Sequence, residues 1–274
     1  MKILNGKELA QKTKEEVKKR ILYNDYNPYL VVIQVGNDPA SSVYVRNKEK
    51  ACEYCGISVE TIVFSENVEE YVLLSRIKEL NKLNFVSGIL VQLPLPAHID
   101  TGKVLQTIAP EKDVDGFHIS NAGKLLIGKD TFVPCTAEGI IELLKANKIE
   151  LEGKNCVVVG RSNIVGKPVA LELLRNNATV TICHSKTKNL KEICLGADIL
   201  ICAIGKPKFF NREYISYGTV VVDVGIHRTK DGLCGDVDFE DVKEIAGAIT
   251  PVPGGVGPMT VAMLMKNVVK AARR

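Results

Sequence analysis

No stretch of this 274-residue chain stays apolar for the roughly 18 residues that a membrane-spanning helix requires. The longest apolar runs, such as Thr219 to Val224, are strand-length, so no membrane partner is expected. Nothing behind Met1 resembles a leader: an apolar core after basic residues is missing, as is an Arg- and Ser-rich, acid-poor stretch. The chain passes straight into a helical pattern, and the cytoplasm is the expected compartment. A dominant charge is missing too. The 36 Lys and Arg against 32 Asp and Glu leave a net charge of +4, and the cations alternate with acids rather than forming a stripe. Nucleic acid is therefore not expected as a partner. The densest basic stretch, Lys12 to Arg20, includes Glu15 and Glu16 and spaces Leu9, Thr13, Val17 and Ile21 four apart, the pattern of a solvated amphipathic helix. One CxxC, Cys52 and Cys55, has neither a second pair nor a nearby histidine, so no metal centre is expected. Other cysteines, among them Cys156, Cys183 and Cys202, lie inside apolar runs and read as reduced, buried thiols of a reducing compartment.

With 46% hydrophobic and 25% charged residues, the composition is that of a folded globular chain, and the length exceeds one ordinary domain. A helix over about 6–22 leads to a strand at Leu30–Val35, a helix from Pro39, a strand at Val59–Phe64, a helix over 69–83 and a strand at Gly88–Gln92. A helix over 137–146 then opens a second series with strands Asn155–Val159, Thr179–Cys183, Ile199–Ala203 and Val220–Val224. Apolar strands interleaved with amphipathic helices predict parallel sheets covered on both faces, in two successive α/β units. The last segment, 259–272, places Val261, Leu264, Met265, Val268 and Val269 on one helical face.

The strand from Asn155 ends in Gly160-Arg161-Ser162, and Gly166-Lys167-Pro168 opens the next helix. Small residues are needed where a backbone approaches a pyrophosphate at a helix N-terminus, because a longer side chain would block it. Gly-x-Ser-x-x-x-Gly departs from the usual dinucleotide fingerprint and also misses a Walker loop, yet strand, loop, helix and strand arrive in the order of a Rossmann unit. An acid that would bind the ribose 2′-hydroxyl of NAD is absent: between Glu172 and Glu192 there is no carboxylate, and the strand end reads Cys183-His184-Ser185-Lys186. Arg161 and Ser185 suit a 2′-phosphate instead, so NADP is the expected cofactor.

In the first unit Asp38 reads as a helix N-cap with Pro39 as the first helical residue. Ser41, Tyr44 and Lys48 then share a helix face near the edge where α/β proteins bind ligands. Gln92 ends a strand before the stiff Leu93-Pro94-Leu95-Pro96, and Lys112-Asp113-Val114-Asp115-Gly116 puts carboxylates in a tight turn. Together these groups outline a polar pocket. A Tyr-x-x-x-Lys pair also marks short-chain dehydrogenases, but there it follows the glycine-rich loop, whereas Tyr44 precedes Gly160 by more than a hundred residues.

The strings QVGNDPASSVYVRNKEKAC, GILVQLPLPAHI, PEKDVDGFHISNAGKL, VVVGRSNIVGKPVA, ADILICAIGKP, VVDVGI and TPVPGGVGPMTVAMLM, in this order over nearly the whole chain, resemble the bifunctional methylenetetrahydrofolate dehydrogenase/cyclohydrolase family. The resemblance implies two α/β lobes with a folate cleft between them: residues 1–136, completed by helix 258–274, as the folate-binding catalytic lobe, and 137–257 as the NADP-binding, Rossmann-like lobe. It implies Lys48 as the central cyclohydrolase residue, Gln92 as its partner, Tyr44 against the folate and Asp115 as the pterin anchor. Leu93 and the loop Pro253-Gly254-Gly255 are implied as further substrate contacts, and Gly160, Arg161, Ser162, Ser185 and Ile226 as cofactor contacts. A homodimer in one-carbon metabolism and purine biosynthesis is implied as well. A dehydrogenase lacking the second activity is the alternative within the family. A non-catalytic NADP-binding protein would keep Arg161 and Ser185 but require neither Lys48 nor Asp115.

Overall fold

The computed structural model describes residues 1–230 and 232–273. A two-residue strand, β1 (Lys2–Ile3), precedes helix α1 (Gly6–Asn24), so the chain does not run from Met1 directly into a helix. Then come β2 (Tyr29–Val35), α2 (Pro39–Cys55), β3 (Ser58–Phe64), α3 (Glu70–Lys82) and β4 (Gly88–Val91), alternating as the apolar runs predict. Two short helices, α4 (Thr101–Thr107) and α5 (Ile119–Leu126), lead to α6 (Cys135–Ala146). The second series is β5 (Asn155–Val159), α7 (Gly166–Arg175), β6 (Thr179–Cys183), α8 (Leu190–Leu195), β7 (Ile199–Cys202) and β8 (Val220–Asp223). A hairpin of β9 (His227–Thr229) and β10 (Gly232–Cys234), then α9 (Phe239–Val242), β11 (Ala248–Ile249) and α10 (Val256–Ala272), complete the chain.

These elements form two compact units, Gln11–Cys135 with Val261–Arg274, and Met1–Ala10 with Thr136–Thr260. The sequence reading starts the folate lobe at residue 1; the structure instead puts the first ten residues with the six-stranded sheet. There Lys2 and Ile3 pair in parallel with Ala248 and Ile249, strands too short to leave a periodic signature in sequence.

The unit of residues 11–135 and 261–274 is built on a parallel sheet in the order β3-β2-β4. Val31, Ile33, Ile89 and Val91 pack there with Leu73, Ile77 and Leu80 of α3, all at most 2% exposed. Segment 112–115 extends the β4 edge, with Ile89 N donating to Lys112 O at 2.8 Å. Asp38 caps α2, its carboxylate accepting from Ser41 N at 2.7 Å, and Gly56 ends the helix in the left-handed region.

In the other unit the order is β1-β11-β8-β7-β5-β6, parallel throughout. Chain order reverses at β5, which has β6 on one side and β7 on the other, and this switch point is where doubly wound sheets bind ligands at their carboxyl edge. Val157, Leu200 and Val221 line the core, each at most 1% exposed. Burying such side chains contributes on the order of 1.5–3 kcal/mol each.

Candidate functional site

In the smaller-sheet unit, the inward stripe of α2 runs Ser41, Val45, Lys48, Cys52, Cys55, and every member except Lys48 is buried. A lysine in an apolar stripe must bring its ammonium to a polar partner. Lys48 Nζ donates to Gln92 Oε1 at 2.9 Å, and Gln92 Nε2 donates to Leu93 O at 2.6 Å, which fixes the amide's orientation. Gln92 stands just past the carboxyl end of β4, its own amide donating to Ile33 O at 2.8 Å. Tyr44, one turn before Lys48, lies at the outer edge of the stripe with 40% exposure, and desolvation raises its phenol above the ordinary range. Leu93 is half-buried beside Gln92, ahead of the cis Leu93–Pro94 peptide.

The two aspartates of the 112–116 turn have different surroundings. Asp113 is 1% exposed, and its Oδ2 accepts from His118 N at 2.7 Å and Asn121 Nδ2 at 2.8 Å. Its carboxylate is occupied in holding the turn. Asp115 is half-buried and its carboxyl is pushed up to about 6, by desolvation first, against the opposing pull of the Lys48 ammonium. Cys135 Sγ lies 3.9 Å from Asp115 Oδ1. The turn is also held from the last helix: Asn267 Nδ2 donates to Val114 O at 2.9 Å and to Val133 O, outside the turn, at 3.3 Å. Lys48, Gln92 and Asp115 thus converge as one polar cluster, with Tyr44 and Leu93 beside it.

Sequence reasoning placed Asp113 in the turn without telling it from Asp115, and missed Asn121 and Asn267, which support this cluster, and Gln34. That residue is 5% exposed and donates through Nε2 to Gly36 O at 2.9 Å and Ser42 Oγ at 3.2 Å, joining β2 to the start of α2. The available signal was a polar residue inside an apolar run, as in Val32-Ile33-Gln34-Val35. The CxxC is a packing feature: Cys52 and Cys55 are buried, their thiols pushed up to about 12 and about 11 by desolvation.

In the larger-sheet unit, Gly160 leaves β5 with φ +140°, and a Cβ there would overlap the Ala203 carbonyl oxygen. A Cβ on Gly166 would overlap Gly160 O, so this loop leaves its backbone bare where a diphosphate must approach. Ser162 closes the loop on itself: its Oγ accepts from Val165 N at 3.1 Å and Gly166 N at 3.3 Å, while its carbonyl accepts from Lys167 N at 3.1 Å. Because Val159 pairs with Cys183, the Arg161 and Ser185 segments leave the same sheet edge side by side, and both residues are exposed. Desolvation holds the Cys183 thiol above its ordinary range at that strand end. Ile226, 43% exposed, follows the carboxyl end of β8. Pro253, Gly254 and Gly255 form the turn into α10, where Lys7 N donates to Gly254 O at 2.9 Å. The bare loop, the exposed cation and the absence of any carboxylate at the β6 end fit a dinucleotide bearing a 2′-phosphate. Among the described residues no group of three or more His, Cys, Asp or Glu is placed to hold a metal ion, and no helix is long and apolar enough to cross a membrane.

Family models match both parts of the chain. Residues 4–115 match the tetrahydrofolate dehydrogenase/cyclohydrolase catalytic domain, and residues 134–274 match the NAD(P)-binding domain of the same enzymes. The bifunctional protein FolD of Agathobacter rectalis is 56% identical over 276 residues, covering 99% of this chain and 99% of the relative. The crystal structure of bifunctional FolD, methylenetetrahydrofolate dehydrogenase/cyclohydrolase, from Campylobacter jejuni matches with a TM-score of 0.97 at 48% identity, covering 100% of this chain and 99% of that one. The Trypanosoma brucei methylenetetrahydrofolate dehydrogenase-cyclohydrolase, solved with NADP and an inhibitor, matches with a TM-score of 0.94 at 38% identity, over 99% and 97% of the two chains.

Proposed function

The chain belongs to the tetrahydrofolate dehydrogenase/cyclohydrolase family, and from that we propose which of its residues serve each of the two reactions. It is a bifunctional enzyme. With NADP it oxidises 5,10-methylenetetrahydrofolate to the 5,10-methenyl cation, and it hydrolyses that cation to 10-formyltetrahydrofolate. The observation that carries the assignment of residues is the Lys48–Gln92 pair beside the half-buried Asp115.

NADP, when bound, supplies the acceptor for the hydride that leaves the one-carbon bridge. The chain's part in that step is placement. Gly160 and Ser162 shape the loop against the diphosphate, Arg161 and Ser185 pair with the 2′-phosphate, and Ile226 packs at the nicotinamide end. On the folate, Asp115 accepts from two donors of the aminopyrimidine edge, while Tyr44 and Leu93 line the substrate.

Hydrolysis asks for proton movement. Water adds to the methenyl carbon and the adduct loses a proton; the remaining hydroxyl then gives up its proton as the carbonyl forms, the carbon–N5 bond breaks and N5 gains a proton, so that one proton is released overall. Lys48, steered by Gln92 Oε1 and flanked by Tyr44, is the group that relays these protons.

The same reading makes the enzyme a cytoplasmic homodimer that supplies 10-formyltetrahydrofolate to purine biosynthesis. Strand β6 supports the dimer: it is the edge of its sheet, exposes Thr179, Thr181 and Ile182, and carries no charged residue or proline to block pairing with a second copy. Light scattering of the purified protein reads the assembly directly. The activity test supplies methylenetetrahydrofolate and NADP while following NADPH and the methenyl chromophore together. NADPH formation with a methenyl signal that rises and decays supports both roles. A methenyl signal that only accumulates overturns the cyclohydrolase assignment and leaves a dehydrogenase alone.

A further inference from the structure

Strands β7 and β8 pair with Cys202 opposite Asp223, so segments 203–206 and 224–226 leave the sheet side by side at its carboxyl edge. The Gly160 loop leaves β5 at the same edge, one strand further along. Two carboxylates that the proposed reactions do not use tie these segments down. Asp236, fully buried, accepts from three consecutive backbone amides: Ile204 N at 2.6 Å and Gly205 N at 3.0 Å on Oδ2, and Lys206 N at 2.9 Å on Oδ1. Its Oδ1 also lies 2.8 Å from His227 Nε2, and since a carboxylate only accepts, that nitrogen donates. Asp223, 3% exposed, accepts in turn from Gly225 N at 3.0 Å, Asp236 N at 2.8 Å and Val237 N at 2.9 Å.

A Cβ on Gly225 would overlap the Asp236 carboxylate, and one on Gly235 the Asp223 carboxylate, so the absence of side chains there lets each acid reach its neighbours. Three successive amides of this kind make an anion-binding concavity, and here the chain fills it with its own side chain. The result is a polar frame behind Ile226. Bonds from buried carboxylates to backbone amides contribute more than neutral ones, and losing one partner leaves the others without compensation.

We propose that Asp236, braced by Asp223 and His227, is a positioning residue for the nicotinamide end of the dinucleotide. It holds segment 204–206 and His227, while Asp223 holds Gly225, so that Ile226 between them presents a fixed apolar surface to the ring. The inference rests on the dinucleotide reading above and deepens it. The diphosphate and 2′-phosphate are assigned to Gly160, Arg161, Ser162 and Ser185, none of which Asp236 touches. Loosening the frame therefore acts on the hydride step, where placement of the reacting carbon decides the rate, more than on affinity.

Asp236→Ala strips the acceptor from four donors at once and is expected to misfold, so the test is made at His227 in the full-length protein. His227→Leu removes the brace, and His227→Gln returns an amide donor of similar reach. Expected for His227→Leu are faster hydrogen exchange at the Ile204, Gly205 and Lys206 amides and a dehydrogenase kcat lowered about tenfold. The NADP dissociation constant, measured calorimetrically, should stay within about threefold, and hydrolysis of added methenyltetrahydrofolate within about twofold. His227→Gln should recover most of the lost kcat. The proposal is overturned if kcat is unchanged although those amides have loosened, if hydrolysis falls in step with oxidation, if weaker NADP binding accounts for the whole loss, or if glutamine rescues nothing. A wild-type protein without NADP-dependent oxidation would instead remove the dinucleotide reading itself.

Discussion

Lys48 and Asp115 carry opposite formal charges in one half-buried cluster, and each makes a separable claim about the chemistry. Hydride transfer needs no proton donor, whereas hydrolysis of the methenyl cation does. Lys48→Met keeps most of the alkyl length in the stripe between Val45 and Cys52 but removes the ammonium. Cyclohydrolase activity should fall by about 10² or more while oxidation survives in part, with the methenyl chromophore accumulating in the coupled assay. Undiminished hydrolysis in that variant would make Lys48 a packing residue. Asp115 adds a pH dependence. Its carboxyl titrates at about 6, raised by desolvation, so it is ionised and able to accept from two donors only above that pH. Folate affinity, measured by calorimetry, should hold at pH 7 and weaken by about tenfold one pH unit below the midpoint, and Asp115→Asn should flatten the profile. The linkage to stability has the opposite sign from that of an ion-paired carboxylate. Because the folded-state value is raised, Asp115 contributes stability in acid that is lost as the pH rises through about 6.

At the scale of elements, the β5 strand, its loop and α7 were the most legible part of the chain. Asn155–Val159 and Thr179–Cys183 are strands at the predicted residues; the first, buried and parallel, reads as a continuous apolar run whose glycine marks its exit, while the second alternates Thr with Val and Ile at the exposed sheet edge. The Asp223–Asp236 frame was not legible. Its partners belong to three-residue strands of the 227–234 hairpin and to acids thirteen positions apart, and only tertiary placement brings them together. Within the Lys48–Gln92–Asp115 cluster, Gln92 stood out as a polar residue ending an apolar strand, and Lys48 by sharing a helix face with Ser41 and Tyr44. Asp113 and Asp115 looked alike in sequence, and only burial separates the one that holds the turn from the one proposed to bind substrate. The loop between β5 and α7 carries a prediction of its own. Arg161 is exposed beside the β6 end, where no carboxylate would repel a 2′-phosphate. Arg161→Ala should weaken NADP by about tenfold, the loss of one charge-assisted pair, and barely alter NAD. Equal losses for both cofactors, measured by titration, would move the 2′-phosphate contact elsewhere.

Over the whole molecule, the course of the chain departs from its two apparent halves. The first ten residues complete the larger sheet, and the last helix begins in that unit but ends in the other. From Val261 onward, Met263, Leu264, Met265, Val268 and Val269 are at most 1% exposed, so this end of α10 is core to the smaller-sheet unit although it lies next in sequence to the larger-sheet unit. Asn267 shows the consequence. It is 4% exposed, and its Nδ2 holds Val114 O, inside the Asp115 turn, and Val133 O, 153 and 134 positions away. Replacing Asn267 by Ala removes the donor and leaves two carbonyls to be desolvated without it, at a cost of roughly 1–3 kcal/mol. That cost falls on the unit that carries Asp115. Expected are a lower unfolding temperature and a several-fold weaker affinity for folate, with NADP affinity unchanged within about twofold, because the Gly160 loop and the β6 end belong to the other unit. Calorimetric titrations of the same preparation with each ligand make the comparison. A variant that lost NADP affinity as strongly as folate affinity would show that α10 serves both units equally, and Asn267 would then be no local support of the Asp115 turn.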